Sequence, residues 1–369
     1  MKLKLSYVKQ FDLILLACVG LLVSISLATI YSLDLAKDNP DFLNFNKQLV
    51  FAVLGLAFLL FFSFLDYRLL RNYSFLIYTS AVIFLISVLF LGSEIHGTKG
   101  WFYIRGFGIQ PVELAKIALI IYLASFFARH SRESRRFSFI GITGVITFGL
   151  IALVLLQPDL GSATILALIW LGILLISGIK RKHLLILVSI FLIIFIFAWF
   201  FLLKDYQKAR IQTFFNPSLN PRGSGYNVTQ SIVAVGSGKT IGRGLESGSQ
   251  SQLKFLPAAE TDFIFAVIAE KLGMAGAGLV LIIWFVLFYR GYNLLRRVHD
   301  EFALFLIIGA MIYFFAQVFL NVGMNIGIAP VMGLPLPFLS AGGSSLLTSL
   351  AIIGILESIN IRNPKFRSA

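Results

Sequence analysis

Apolar residues in this chain gather into long runs separated by short polar links. A membrane-spanning helix needs about 20 mainly apolar residues. Ten stretches come close to or exceed that length: 11–32, 47–65, 73–92, 111–128, 138–156, 159–178, 183–203, 263–289, 301–325 and 340–358. The pattern predicts an all-α integral membrane protein with ten transmembrane helices. It is a single polytopic domain over residues 1–369, with no soluble domain of any size. One long polar stretch, 204–261, interrupts the pattern between the seventh and eighth spans. Its Asn-Pro pairs and Gly-Ser-Gly are turn signals, and its short amphipathic pieces predict one or two helices on the membrane surface. The eighth run is overlong and contains Glu270, Lys271 and Gly273. It reads as a short partial helix followed by a span from about residue 273, the form taken by broken helices that line a cavity. After the ninth span, three prolines and repeated glycines fall at membrane depth, where irregular backbone survives only if protein or water covers it.

Composition agrees with the pattern. Hydrophobic residues make up 58% of the chain and charged residues 13%, with a mean hydropathy of +0.89; a soluble domain is about 25% charged. The single cysteine, Cys18, lies in the first span, so no intrachain disulfide forms. The N-terminal apolar run is too long for a signal-peptide core and reads as an uncleaved span.

The net charge of +14 suggests a polyanionic partner until the charges are placed. Lys2, Lys4, Lys9, Arg68, Arg71, Arg129, Arg132, Arg135 and Arg136 fall at alternate ends of the spans, on one side. Lys180 to Lys182, Arg290, Arg296, Arg297, Arg362, Lys365 and Arg367 fall on the same side. The short loops opposite and their edges carry only Lys37, Lys47, Lys99 and Arg105. This positive-inside bias puts both termini in the cytoplasm and 204–261 outside. It makes membrane lipid the charged partner, rather than nucleic acid.

Candidate chemistry collects on the outer side. Residues 93–110 carry His96, Lys99, Trp101, Arg105 and Gln110 among glycines, either as an interfacial aromatic belt or as a polar site. Pro111 suits a first helical turn. Glu113 and Lys116 follow on one helix face, either as a self-neutralising pair or as the lining of a polar cavity. Asp159, in a tight outer hairpin, is either the cap of span six or part of the same vestibule. Asp12 reads as an N-cap. GSGKT at 236–240 is not a phosphate loop, because Val233 stands where such a loop needs glycine. Asp262 stands with Glu260 at the mouth of the eighth run. A carboxylate there is a cap, an ion partner or a reacting group; we take Asp262 as the reacting group.

Several stretches together resemble a known family. GTKGWFYIRGFGIQPVELAK, QPDLGSA, FNPSLNPRGSGYNVTQSIVAVGSG, LPAAETDFIFAVIAEKLG and NVGMNIGIAPVMGLPLPFLSAGGSSLL run in family order from about residue 93 to 347. They resemble the SEDS proteins (shape, elongation, division and sporulation), the RodA/FtsW group of bacterial cell-wall polymerases. QPD and NVGMN look more like the elongation-type RodA branch. The family often has His where Glu260 stands and Tyr where Ala341 stands. The resemblance implies a multi-pass protein of the bacterial cytoplasmic membrane, a peptidoglycan glycosyltransferase that polymerises lipid II at the outer face. Its partners would be a class B penicillin-binding protein (a transpeptidase), lipid II and the growing lipid-linked glycan strand. The family's essential aspartate falls on Asp262, its outer-loop tryptophan and arginine on Trp101 and Arg105, and its buried pair on Glu113 and Lys116.

That chemistry suits these residue types. One carboxylate, Asp262, can deprotonate the attacking sugar hydroxyl, because diphosphate is a good leaving group. Charge growing on the diphosphate calls for cations such as Arg105, Lys116, Arg210 or Lys239. Trp101 would stack on a sugar or position a lipid, and Gln110, Asp159 and Ser344 complete the expected substrate-binding set. Asp262 as ligand of a divalent cation, magnesium or manganese, is the alternative to Asp262 as base. The vestibule must open sideways to lipid to admit the substrate's tail. A lipid II flippase, a division-type polymerase and a non-catalytic scaffold are the competing readings. A flippase should carry polar groups through the full depth of the bilayer, whereas these crowd the outer half.

Overall fold

Asp12 begins the first helix as expected: its carboxylate accepts from the Leu15 amide at 3.2 Å, which satisfies a donor that has no partner within the helix. The computed structural model describes residues 10–36, 41–95, 98–104, 107–130, 137–201, 203, 205–216, 223–244 and 256–363. Helices α1 (Leu13–Leu35), α2 (Leu43–Phe64), α3 (Tyr67–Asn72) and α4 (Ser74–Leu91) come first. Then follow α5 (Pro111–Arg129), α6 (Phe137–Leu156), α7 (Leu160–Ile176) and α8 (Arg181–Phe201). The chain continues through α9 (Asp205–Phe215), α10 (Ser224–Ser237), α11 (Ile264–Leu295), α12 (Glu301–Asn325) and α13 (Gly343–Arg362).

Eight of these, α1, α2, α4, α5, α6, α11, α12 and α13, are long and apolar enough to cross a membrane. The expected sixth span coincides with α7, apolar but only 17 residues long. The expected seventh coincides with α8, of 21 residues. Helices α5, α12 and α13 are buried on most sides, whereas α4 leaves Phe75, Leu76, Phe90 and Leu91 exposed on an apolar outer surface.

The all-α expectation needs one correction. Strands β1 (Ser93–Ile95), β2 (Thr98–Ile104) and β3 (Phe107–Ile109) form a small antiparallel sheet in the order β1-β2-β3. Glu94 pairs with Lys99 and Phe102 with Ile109. Strands this short, punctuated by glycine, give too little alternation to stand out from a loop. The sheet packs on α4, α5 and α13, at the N-terminal ends of the latter two.

The eighth run breaks where expected. Gly273 has φ 68° and ψ −165° inside α11, a conformation that glycine adopts without steric cost. The groups released by the break are taken up by the glycine-rich stretch after α10. Arg243 and Gly244 donate to the carbonyls of Glu270 and Lys271, each at 3.0 Å. Met274 and Ala275 donate to those of Lys239 and Thr240, at 2.8 and 3.1 Å. GSGKT therefore serves as part of a backbone clasp for a broken helix. Among the described residues of 204–261 there are two helices, α9 and α10, of which α10 packs on α11 and α12.

Candidate active site

The turn that carries Asp262 is built from the backbone outward. Ala258 has φ 53°, and its carbonyl gathers the amides of Thr261, Asp262 and Phe263 at 3.1 to 3.3 Å. Three outside elements then fix the turn. Asn321 and Asn325 of α12 each donate a side-chain N–H to the Asp262 carbonyl, at 3.0 and 3.1 Å. The Asn325 side-chain oxygen also accepts from Ala266, a first-turn amide of α11 that has no acceptor of its own within the helix. Ser340 donates to Thr261 O at 2.5 Å, and the Ala341 amide to Glu260 O at 2.8 Å. Asn44 of α2 donates to the Glu260 carboxylate at 2.5 Å. Glu260 is thus occupied in holding the turn, while Asp262, half-buried, faces Gly333: a Cβ added there would lie 3.7 Å from Asp262 Oδ2. Behind it, Phe263 to Lys271 are all buried. Close by, Phe338 holds φ 64°, a strained conformation for an aromatic residue, and stacks on Trp284 at 5.6 Å.

Segment 332–334 links this turn to the predicted outer wall. A Cβ on Gly161, in the first turn of α7, would come within 2.5 Å of Met332 O. Asp159 caps α7 by accepting from Ser162 N at 2.9 Å, and its other oxygen accepts from Gln110 Nε2 at 3.3 Å. The Gln110 amide donates to Ser344 Oγ at 3.0 Å, and Ser344 Oγ donates to Gly108 O at 3.3 Å. Gln110, Asp159 and Ser344 therefore form one hydrogen-bonded group, and Asp159 is the cap of α7. One turn further into α5, Lys116 Nζ lies 2.7 Å from Glu113 Oε1, both side chains essentially without solvent exposure. A buried pair of this kind stands only while both partners are present. Trp101 lies in β2 with its ring over Gly108.

Arg105 lies outside the described residues. Arg210 sits half-buried on α9, which packs on α10. Lys239 is exposed and lies beside the break in α11. At about 1.5 Å per residue, that is roughly 15 Å along the helix from Asp262. Among the described residues no three His, Cys, Asp or Glu cluster to hold a metal. A magnesium-type ion needs only one or two carboxylates when substrate phosphates supply further oxygens, so Asp262 alone fits that arrangement. An apolar cavity of about 730 Å³ lies between Trp199, Phe214 and Phe215 on one side and Pro330 and Met332 on the other.

Asn321 and Asn325, the first and last residues of NVGMN, carry the resemblance, but the sequence reading gave them no place in the site. The signal was there: Tyr313, Gln317, Asn321 and Asn325 recur every four residues along an otherwise apolar α12, a spacing that puts them on one side of the helix.

A family described as cell cycle protein (FtsW, RodA and SpoVE) matches residues 8–365. The peptidoglycan glycosyltransferase MrdB of Escherichia coli K12 is 39% identical over 287 residues, covering 77% of this chain and 76% of that protein. Stage V sporulation protein E of Bacillus subtilis is 34% identical over 359 residues, covering 95% and 96%. A solved structure titled for the coordination of polymerization and crosslinking by a peptidoglycan synthase complex contains a similar chain. It has a TM-score of 0.81 and 27% identity, covering 96% of this chain and 99% of that one. The rod shape determining protein RodA of Thermus thermophilus matches with a TM-score of 0.69 and 25% identity, over 96% and 97%.

Proposed function

We infer that this chain, which belongs to the FtsW/RodA/SpoVE family of cell cycle proteins, is a peptidoglycan glycosyltransferase, the activity named for several of its relatives. It is a multi-pass membrane protein. The finer reading has ten spans in the bacterial cytoplasmic membrane, both termini in the cytoplasm and the Asp262 turn outside. The charge distribution along the chain supports that orientation.

The observation that carries the site assignment is the support given to Asp262. Two asparagines and a serine anchor the main chain on either side of it, leaving a half-buried carboxylate held in position. In the proposed reaction the 4-hydroxyl of one lipid-linked sugar attacks the anomeric carbon of another. Its proton passes to the Asp262 carboxylate as the new C–O bond forms. The old bond to the polyprenyl diphosphate breaks, and its electron pair leaves on the diphosphate. Positioning of this kind is worth orders of magnitude in rate. Lys116, held by Glu113, and Arg105 are the proposed partners for diphosphate charge, with Trp101, Gln110, Asp159 and Ser344 lining the sugar path. A divalent cation bound by Asp262 and substrate oxygens would supply further charge stabilisation there. The apolar cavity beside Pro330 and Met332 suits the substrate's polyprenyl tail.

A class B penicillin-binding protein is the proposed partner, supported by the similarity to a chain of a peptidoglycan synthase complex. An elongation role is favoured by the QPD and NVGMN stretches. The test is glycan-strand formation from lipid II by the purified protein, with its transpeptidase and magnesium or manganese. Polymer is the expected product. Transport of lipid II across vesicle membranes with no polymer would instead identify a flippase.

A further inference from the structure

A short strap of main chain, residues 339–342, runs between the Asp262 turn and the first turn of α13, where Ser344 lies. The strap is irregular, so its buried N–H and C=O groups need partners from elsewhere. On one side it grips the turn, through Ser340 Oγ to Thr261 O and the Ala341 amide to Glu260 O. On the other side it is gripped by α1 and α2. Ser26 Oγ of α1 donates to Leu339 O at 2.6 Å. Gln48 Nε2 of α2 donates to Ser340 O at 3.1 Å, and Gln48 Oε1 accepts from the Gly342 amide at 3.3 Å. Gln48 Nε2 also donates to Ser26 Oγ at 3.3 Å. Both side chains are buried.

Gln48 thus bridges the peptide groups on either side of Ala341, whose own amide holds Glu260. A main-chain N–H donates and a carbonyl accepts, so the strap fixes which way the Gln48 amide faces. Neither a carboxylate nor a hydrocarbon of similar size reproduces that pattern. Asn44 lies one turn earlier on the same face of α2 and donates to the Glu260 carboxylate. Helix α2 therefore holds the turn with one amide and the strap with the next. Beyond Gly342 the chain enters α13 in close contact with α2: a Cβ on Gly343 would overlap the Phe51 ring. Ser344 follows, and accepts from the Gln110 amide.

We propose that Gln48 is a positioning residue for glycan polymerisation. By holding both ends of the strap, it sets the Asp262 carboxylate against the wall formed by Gln110, Asp159 and Ser344. It acts through the strap and touches no substrate. This role rests on the polymerase reading above.

The test uses the full-length protein with its transpeptidase partner, lipid II and divalent cation. In Gln48→Met, kcat is expected to fall on the order of tenfold with KM little changed. In a double-mutant cycle with Ser340→Ala, which cuts the link from strap to turn, the two losses should fall short of multiplying. Amide hydrogen exchange read by mass spectrometry needs no substrate, and the peptide spanning 339–342 should exchange faster in Gln48→Met. Should that variant fail to fold, Ser26→Ala, which removes the bond at Leu339, is expected to shift kcat and exchange in the same directions. Wild-type kcat in a folded variant would overturn the proposal. So would losses that multiply in the cycle, a kcat loss that merely follows a lower unfolding temperature, or strap amides that exchange no faster. Those results leave the polymerase reading standing, whereas wild-type protein that makes no polymer would remove that reading and this role together.

Discussion

Asn321 donates to the main-chain oxygen of Asp262 at 3.0 Å and to that of Leu334 at 2.7 Å. One amide thus joins the turn that presents the carboxylate to the segment that faces it. Asn321→Ala leaves the Leu334 carbonyl without this donor and Asp262 with Asn325 alone, a cost of about 1–3 kcal/mol. The expected outcome is a kcat for lipid II polymerisation lower by on the order of 10²-fold, with KM little changed, in a protein that still folds. Wild-type kinetics in the folded variant would mean that the turn is held in position by its other bonds.

The Glu113–Lys116 pair predicts strong non-additivity. Both side chains are buried within the bundle and 2.7 Å apart. Removing one leaves the other's charge uncompensated, at about 3–5 kcal/mol. Glu113→Gln and Lys116→Met are each expected to unfold at markedly lower temperature in detergent. Reversal of both, Glu113→Lys with Lys116→Glu, is expected to hurt less than either single change. Additive effects in a double-mutant cycle would contradict the coupling.

Gly161 predicts an effect on the site from outside it. An added Cβ would lie 2.5 Å from Met332 O and 3.1 Å from the Leu334 side chain. Gly161→Ala therefore pushes segment 332–334, which faces Asp262, while leaving every predicted site residue unchanged. A fall in kcat larger than any change in unfolding temperature is expected. Unaltered turnover would show that this segment does not set the site geometry.

The clasp on the broken helix predicts a stability effect. A Cβ on Gly273 would overlap the Gly242 main chain, at a backbone conformation that L-residues rarely adopt. Gly273→Ala should lower stability by at least about 1–3 kcal/mol, read as a shift in thermal unfolding. An unshifted transition would mean that the break is not a rigid element of the fold.

What could be read from the sequence was local. Twenty-residue apolar runs announce helices without reference to anything else, and the i, i+3 spacing of Glu113 and Lys116 foretells their contact. The break at Gly273 was visible as an overlong run containing charge and glycine. What could not be read depended on distant partners. Nothing near GSGKT says that its carbonyls receive Met274 and Ala275. Asp12 is legible as a cap, but its ion pair with Arg290, at 2.5 Å, joins two segments far apart in the chain. Asn321 and Asn325 read singly as tolerated polar residues, and only their four-residue repeat with Gln317 and Tyr313 marks a polar face on an otherwise apolar helix. Nor does the sequence around Lys239 say that it lies beside the Gly273 break, at the other end of the first segment of α11 from Asp262.

The most direct test compares wild type and Asp262→Asn in glycan-strand synthesis from lipid II, with the transpeptidase partner and divalent cation present. Asparagine keeps the size of the side chain and leaves the main-chain anchors at Asn321, Asn325 and Ser340 untouched, so unfolding temperature should match wild type. The account predicts polymer from wild type and none from the equally stable variant. Equal polymer from both would remove Asp262 from the chemistry and contradict the assignment at its centre.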